Sequence, residues 1–232
     1  MYKKYFVTGA TGFLGKAVVQ RLLTKAADIY ALVMKDDPLA GTLPNGIHVC
    51  VGNVCDPSSL DSFLNGADGQ SCVIHCAGIV SVASRPGEQL YKVNVGGTKN
   101  IVNACISHSV GKLVYVSSVH ALTEKPKGIE IDAETDAFNP DRLVGDYAKS
   151  KAMATRIVLD AARASLDASI VLPSGIIGPG DTAGGSITEL LLSFLAGKLP
   201  IAVKGGYDFV DVRDVAEGIV SCAEKGVRGK CY

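Results

Sequence analysis

The stretch Thr8-Gly9-Ala10-Thr11-Gly12-Phe13-Leu14-Gly15 connects the first apolar run of the sequence to a helical pattern. Leu14, Val18 and Leu22 recur every four residues, so the helix begins inside this stretch. Gly9 permits a tight turn, Gly12 lets backbone N–H groups approach a phosphate, and Gly15 lets the helix pack closely on the strand. A glycine turn between a strand and a helix N-terminus predicts a site for the pyrophosphate of a dinucleotide. A plain turn without a ligand is the alternative.

Further apolar runs alternate with helical or polar segments along the rest of the chain. They lie at 29–33, 47–51, 72–76, 113–116 and 169–172. Runs that are apolar on both faces and separated by helices predict central strands of a parallel sheet covered on both sides. We therefore expect an α/β fold with a doubly wound parallel sheet of the Rossmann type. Such a sheet binds its ligands at the carboxyl ends of its strands.

The same pattern divides the chain into two predicted regions. Residues 1–175 form a dinucleotide-binding domain, and residues 176–232 form a substrate-side segment whose strand and helix, at about 208–225, return to the main domain. An irregular stretch at 123–146 is rich in Pro, Asp, Glu and Gly. Its length indicates either a functional loop or a solvated excursion of the surface.

The composition excludes several classes of function. The 232 residues carry 23 basic and 23 acidic side chains, so the formal net charge is zero, and 47% of the residues are hydrophobic. A globular chain without net charge has no field that gathers nucleic acid or a membrane surface, so we expect a small-molecule partner. The N-terminus lacks the apolar region of a secretory signal, and no apolar stretch is long enough to cross a membrane. These features predict a cytoplasmic protein.

The seven cysteines are expected to be reduced thiols. Their number is odd, and no two of them form a Cys-x-x-Cys pair. Cys72, His75 and Cys76 share one apolar run, but the residues of a strand alternate between faces, so His75 points away from the two thiols. We therefore predict no metal site.

The residues after the second apolar run bear on the choice between NAD and NADP. An acid at this place accepts from the ribose 2′-OH of NAD, whereas a cation favours the 2′-phosphate of NADP. Lys35 is the first charged residue after the run, and the first acid, Asp36, lies one residue beyond it. We expect NADP in preference to NAD. The alternative is that Lys35 is an ordinary solvated lysine.

Tyr147 and Lys151 lie four residues apart in a helical pattern that opens around Asp146. This spacing places the phenol and the ammonium on one face, one turn apart. A tyrosine with its ordinary pKa of about 10 exchanges protons poorly at neutral pH, and a nearby cation lowers that pKa. The pair is a candidate for general acid–base catalysis, and an ordinary amphipathic helix is the alternative.

Two hydroxyl groups, Ser117 and Ser118, follow directly on the apolar run at 113–116. They are therefore expected at the carboxyl end of a strand, where a serine can hydrogen-bond a substrate carbonyl. No Gly-x-Ser-x-Gly sequence surrounds them, which argues against a hydrolase nucleophile. His120 lies only two residues further on without an evident orienting acid, so we do not expect it to act as the base of a serine nucleophile.

The motifs occur in one order along nearly the whole chain. Besides the glycine turn, the serine pair and Tyr147-Ala148-Lys149-Ser150-Lys151, the matching stretches begin at Gly52-Asn53-Val54, Val73-Ile74-His75, Asn94-Val95-Gly96, Leu172-Pro173-Ser174 and Phe209-Val210-Asp211. Together they resemble the extended short-chain dehydrogenase/reductase family, also described as NAD-dependent epimerases/dehydratases. The details look most like its dihydroflavonol-reductase branch.

The resemblance implies roles for individual side chains. Ser118 would hold the substrate carbonyl, and Tyr147 would be the general acid in reduction and the base in oxidation. Lys151 would bind the nicotinamide ribose and lower the pKa of Tyr147, and Asn94 would support a proton-relay water. The residues implied to bind the coenzyme are Gly9, Thr11, Gly12, Phe13, Leu14, Gly15, Lys35, Asn53, Val54, Ala77, Gly78, Tyr147, Lys151 and Pro173. Asn53 departs from the family, which more often has Asp there.

Three functions remain open at this point. The first is an oxidoreductase that reduces a carbonyl, or oxidises the alcohol, of a small organic substrate. The second is an NAD-dependent nucleotide-sugar epimerase or dehydratase, which is weakened because Leu172 replaces the Arg frequent in sugar-nucleotide enzymes. The third is a non-catalytic NAD(P)-sensing protein, against which the Tyr147 and Lys151 pair argues.

The resemblance also bears on assembly and on the end of the chain. Family members often form homodimers through two helices of each subunit. The last four residues, 229–232, look like the start of another strand, whereas family members continue into a larger substrate-covering segment. We therefore expect that part of that C-terminal segment lies outside this sequence.

Overall fold

The computed structural model describes residues 1–81, 87–126, 128–129, 131, 138–182, 184–199, 201 and 204–232. Among these residues, six strands form the main sheet: β1 (Lys4–Thr8), β2 (Asp28–Val33), β3 (Ile47–Val51), β4 (Ser71–His75), β5 (Lys112–Val116) and β6 (Ala168–Val171). The strands are parallel, and their order is β3-β2-β1-β4-β5-β6. The winding reverses between β1 and β4, which opens a crevice at the carboxyl ends of these two strands.

Helices connect the strands and cover the sheet. They are α1 (Phe13–Leu22), α2 (Pro57–Phe63), α3 (Glu88–Tyr91), a π-helical segment (Lys92–Gly97), α4 (Thr98–Ser107), α5 (Asp146–Ala164), α6 (Ser186–Leu195) and α7 (Val212–Lys225). Two short parallel strands, β7 (Gly175–Ile177) and β8 (Phe209–Asp211), form a separate pair. Short 3-10 turns occur at Ala40–Thr42, Val119–Ala121 and Pro140–Arg142.

The strands of the sheet bury apolar side chains on both faces. On one face, Tyr5 and Val7 pack in a core with α1 and α7. On the other face, Phe6 and Val73 pack in a second core with α2, α4 and α5. Alternate residues of one strand thus enter different cores, as a period of two requires. The predicted doubly wound α/β fold with helices on both faces is confirmed.

The prediction of central strands is wrong for the run at 47–51. β3 is the edge of the sheet: it pairs with β2, and no described strand pairs with its other side. Val49 and Val51 are accordingly 49% and 67% exposed. The connection from β2 to β3 holds a 3-10 turn rather than a helix, so less of this strand is covered. An apolar run predicts that a strand forms, but it does not predict whether the strand is paired with another strand on both sides.

The residues after β6 return to the main sheet. Helix α7 packs against α1, and Cys231 forms a parallel bridge with Ile170 of β6. The expected start of another strand at 229–232 is therefore present. The division at residue 175 into two domains stays a prediction. Part of the predicted loop at 123–146 lies outside the described residues. No helix in the described part of the chain has the length and apolar character that crossing a membrane requires.

Candidate active site

The glycine turn between β1 and α1 packs through backbone atoms alone. Gly9 has φ +67°, and a Cβ on it would lie 2.7 Å from the backbone nitrogen of Ala77. A Cβ on Gly15 would overlap the carbonyl oxygen of Gly9, so the helix and the turn touch through backbone alone. Helix α1 begins after Gly12 without a side-chain cap and without an acid in its first turn. Its N–H groups and dipole are therefore available to an anion.

An acid reaches this turn from the loop that follows β2. The hydroxyl of Thr11 donates a hydrogen bond to Asp37 Oδ2 at 2.7 Å, and the backbone nitrogen of Leu39 donates to Asp37 Oδ1 at 2.8 Å. Lys35, from which we predicted NADP, is exposed. Asp37 is a residue that sequence reasoning missed as a contact of the turn. Asp36 has a φ of +63°, which turns the chain just before Asp37. No local pattern in the sequence predicts this turn.

Asn53 and Val54 lie just beyond the carboxyl end of β3. Asn53 Oδ1 accepts from the backbone nitrogen of Cys55 at 2.9 Å, so the amide stabilises its own turn. Val54 is buried, and a Cβ on Gly97 would approach its side chain to 2.8 Å. These two residues, which the resemblance implies to bind the coenzyme, thus lie between the edge strand β3 and the start of α4.

The segment after β4 brings the coenzyme-side and catalytic residues together. The backbone nitrogen of Ala77 donates to Thr8 Oγ1 at 3.2 Å. A Cβ on Gly78 would lie 3.3 Å from Asn94 Oδ1 and 3.5 Å from Lys151 Nζ. A single glycine therefore lies against two of the predicted catalytic side chains, and close approach explains why glycine stands there.

Asn94 lies in the π-helical segment, a form that often marks functional sites. Its Oδ1 accepts from the nitrogen of Ile79 at 2.8 Å, and its Nδ2 donates to the oxygen of Ile79 at 3.0 Å and to Ser150 Oγ at 3.1 Å. Its backbone oxygen accepts from Thr98 Oγ1 at 2.6 Å. The amide of Asn94 thus braces the loop after β4 against α5.

Lys151 is buried beneath the site on α5. Its Nζ donates to the backbone oxygen of Val116 at 2.9 Å and lies 5.2 Å from the centre of the Tyr115 ring. Burial lowers the pKa of Lys151 to about 8. An ammonium with one carbonyl acceptor and an aromatic face is poorly solvated, which favours the neutral amine.

Tyr147 and Ser118 form the other side of the site. Ser118 Oγ accepts from the backbone nitrogen of His120 at 3.2 Å. Burial raises the pKa of Tyr147, whereas its interaction with Ser118 lowers that pKa. The net shift of the Tyr147 pKa is therefore upward, and the effect of Lys151 on this pKa stays a prediction. Spacing along a helix predicts a shared face, but it does not predict which acceptor the ammonium reaches.

Ser117 and His120 take different directions from Ser118. Ser117 is buried and bonds Thr155 Oγ1 at 2.6 Å, away from the site. His120 Nε2 bonds the hydroxyl of Tyr207 at 2.7 Å, and its ring lies 6.3 Å from that of Tyr147. Tyr207 comes from the substrate-side segment and was missed by sequence reasoning, because nothing local links it to a residue 87 positions earlier.

Pro173 lines a groove formed by residues after β6, by β8 and by α7. Its carbonyl oxygen accepts from the backbone nitrogen of Val119 at 3.1 Å. The groove has a volume of about 360 Å³, and its other lining residues include Leu172, Phe209 and Val215. Apart from Asp208 its walls are uncharged, which suits an uncharged group. In the described residues, no three His, Cys, Asp or Glu side chains come together as metal ligands.

The chain is similar to proteins of one family along its whole length. The model of the family described as "NAD dependent epimerase/dehydratase family" matches residues 5–232. "Sterol demethylase protein B" of Methylococcus capsulatus is 31% identical over 228 residues, which cover 97% of this chain and 67% of that protein. A Synechocystis sp. protein provisionally named dihydroflavonol 4-reductase is 34% identical over 222 residues, covering 96% of this chain and 63% of the relative.

Solved structures agree with this similarity. The crystal structure of gox2253 has a TM-score of 0.90 and 32% identity, covering 99% of this chain and 69% of that one. The UDP-glucose 4-epimerase of Thermus thermophilus, solved as a complex with NAD, has a TM-score of 0.81 at 22% identity and shares the fold; the match covers 99% of this chain and 76% of that one. The chain spans about two thirds of the length of the curated relatives it matches.

Proposed function

Because this chain belongs to the NAD dependent epimerase/dehydratase family, we propose that it is an NAD(P)-dependent oxidoreductase of the short-chain dehydrogenase/reductase type. It reduces the carbonyl of a small organic substrate, or oxidises the corresponding alcohol. The observation that carries this proposal is that Ser118, which follows β5, lies near enough to Tyr147 to lower its pKa, at the same carboxyl edge of the sheet as the glycine turn after β1.

The residues present fit a dinucleotide. Gly9 and Gly15 let the turn, α1 and the segment after β4 pack through backbone atoms, and the uncapped start of α1, without an acid in its first turn, suits a pyrophosphate. Phe13 and Leu14 supply N–H groups of its first turn. Ala77, which packs against Gly9, and Gly78, which packs against Lys151, continue the proposed coenzyme site from the turn, and we propose that Pro173 leads into the nicotinamide pocket. The bound coenzyme supplies the hydride.

The chain's own residues supply the proton and orient the substrate. Ser118 Oγ accepts from the nitrogen of His120, and its hydrogen, which interacts with Tyr147 in this structure, would bond the carbonyl oxygen of a bound substrate. Tyr147 donates the proton to the carbonyl oxygen. Burial keeps the phenol of Tyr147 protonated at neutral pH, which is the state a general acid needs for reduction.

Lys151 and Asn94 act beside this pair. Both lie close to Gly78, so we propose that Lys151 binds the nicotinamide ribose. In its charged form Lys151 would stabilise the phenolate of Tyr147, which is the base that takes the alcohol proton in oxidation. Asn94 holds the segment around Ile79 through three hydrogen bonds of its amide. Its support of a relay water is part of the proposal. We also propose NADP as the preferred coenzyme, with Lys35 as the group that contacts the 2′-phosphate.

The test is a panel of aldehydes and ketones offered to the purified protein with NADPH. The chain has no tryptophan, so NADPH fluorescence is followed with little protein background. Consumption of NADPH that depends on a carbonyl supports the proposal. Tightly held NAD that does not exchange favours an epimerase or dehydratase instead. Coenzyme binding without turnover of any carbonyl contradicts the proposal and favours a sensing protein.

A further inference from the structure

His75 ends β4 in the middle of the sheet, and its ring is completely buried. Both ring nitrogens have partners. Nδ1 lies 2.7 Å from Thr8 Oγ1, at the start of the glycine turn, and Nε2 lies 3.1 Å from Thr98 Oγ1, at the start of α4. The ring therefore joins the strand that leads into the coenzyme cradle to the helix that follows Asn94.

The neighbouring hydrogen bonds fix the direction of this chain. Thr98 Oγ1 donates its single proton to the backbone oxygen of Asn94, so it accepts from His75 Nε2–H. In the neutral ring Nδ1 then has no hydrogen and accepts from Thr8 Oγ1. Thr8 Oγ1 in turn accepts from the backbone nitrogen of Ala77. Each of the two hydroxyl groups thus donates once and accepts once. The four hydrogen bonds all point the same way, from the Ala77 nitrogen through Thr8, His75 and Thr98 to the Asn94 carbonyl oxygen.

The chain requires a neutral imidazole. A protonated ring would carry hydrogen on both nitrogens, so Thr8 Oγ1 could no longer donate to Nδ1 and its hydroxyl hydrogen would need another acceptor. Burial, with a smaller contribution from Lys151, lowers the pKa of His75 to about 3. The ring is therefore neutral at neutral pH.

We propose that His75 is a positioning residue that fixes the glycine turn and Asn94 relative to each other through this directed chain. The inference rests on the proposed function, because it assigns the two ends of the chain to coenzyme binding and to turnover. The Thr8 half holds Ala77 against the cradle. The Thr98 half holds the backbone of Asn94, whose amide braces the loop beside Lys151.

Isosteric removal of each hydroxyl tests the two halves separately. Thr8→Val is expected to raise the dissociation constant of NADPH about tenfold and to lower kcat much less. Thr98→Val is expected to lower kcat about tenfold and to change the NADPH dissociation constant less than about threefold. Ser169→Ala removes an equally buried hydroxyl, bonded to the Val227 carbonyl, and is expected to change neither quantity. All three variants lose some thermal stability.

A purely structural role predicts a different pattern. If the losses in affinity and in kcat simply follow the fall in melting temperature in all three variants, the proposal is overturned. The nitrogen chemical shifts of the His75 ring give a second test that needs no variant. They are expected to show hydrogen on Nε2 of a neutral ring from about pH 6 to 9. Hydrogen on Nδ1, or on both nitrogens, contradicts the chain.

Different results would contradict the proposed function and the role of His75. If the wild-type protein binds neither NADPH nor NADH, the proposed function is wrong, whereas the ring tautomer still reports on the chain. If the wild-type protein binds coenzyme and reduces carbonyls but the Thr8 and Thr98 variants resemble the Ser169 variant, only the role of His75 is wrong.

Discussion

The hydroxyl of Thr11 and the carboxylate of Asp37 are joined by a hydrogen bond of 2.7 Å, which fixes an acid from the loop after β2 on the glycine turn. Lys35 lies two residues before this acid and is exposed. The loop after β2 therefore carries charges of both signs, and the balance between Lys35 and Asp37 is expected to influence how a 2′-phosphate binds.

Coenzyme preference is expected to follow these two charges. Lys35→Ala should weaken NADPH binding about fivefold and leave NADH binding nearly unchanged, since one exposed ion pair contributes roughly 1 kcal/mol. Asp37→Asn should strengthen NADPH binding relative to NADH. Fluorescence titration with both coenzymes measures these effects. Lys225→Ala, at the exposed end of α7, and Asp36→Asn, which keeps the Thr11 contact, are the controls. A wild-type preference for NADH contradicts the assignment of Lys35.

The glycine turn should tolerate no side chain at Gly15. In the Gly15→Ala variant the new Cβ overlaps the Gly9 carbonyl, so α1 must move away from β1. We expect NADPH affinity to fall at least about tenfold and the protein to lose more than about 2 kcal/mol of stability. Gly41→Ala is the matched control, because a Cβ there meets nothing within 4 Å. Equal behaviour of the two variants would show that α1 and the turn do not touch as described.

Some features of the site have a local signal in the sequence, and others depend on residues far apart along the chain. The glycine turn and the pair Tyr147 and Lys151 follow from short spacings, and the sheet order then places them together. The contact of Asp37 with Thr11 and the edge position of β3 depend on neighbours that are remote along the chain. The same holds for the bond between His120 and Tyr207. Local periodicity carries no information about such partners, because they are set by strand order and loop path.

Burial of the charged Lys151 side chain should lower the free energy of unfolding at neutral pH. Its pKa falls from 10.5 to about 8, so its charged form is disfavoured in the folded state at neutral pH. Between about pH 8 and 10.5 the folded protein has lost the Lys151 proton, whereas the unfolded chain still binds it. The free energy of unfolding that depends on Lys151 therefore increases as the pH rises through this range. Lys151→Met is therefore expected to gain about 1–3 kcal/mol at neutral pH and to lose turnover.

Chemical denaturation of the Lys151→Met variant and of the wild type, at neutral and at alkaline pH, measures this gain. The stability difference should shrink as pH rises toward the ordinary pKa of lysine. Lys149→Met, on the same helix, is the control for a change of charge and is expected to retain activity. A Lys151→Met variant that is less stable than the wild type at neutral pH would mean that the ammonium is well solvated or well paired.

His75 should make the protein sensitive to acid. Its folded pKa of about 3 lies below the ordinary 6.5, so the unfolded chain takes up a proton that the folded protein refuses. The stability from this group is complete above about pH 6.5 and is lost as pH falls toward 3. His75→Gln is expected to flatten the pH dependence of the unfolding free energy in that window. An unchanged slope would show that His75 does not stay neutral.

Replacement of Tyr147 by Phe tests the central claim most directly, since it removes the phenolic proton donor and keeps the ring. Turnover of a carbonyl substrate with NADPH should fall by about a thousandfold or more, while the dissociation constant of NADPH stays within about twofold. Tyr232→Phe, which removes an exposed hydroxyl at the end of the chain, should keep full activity. Carbonyl reduction by the Tyr147→Phe variant at a rate near that of the wild type would contradict the account.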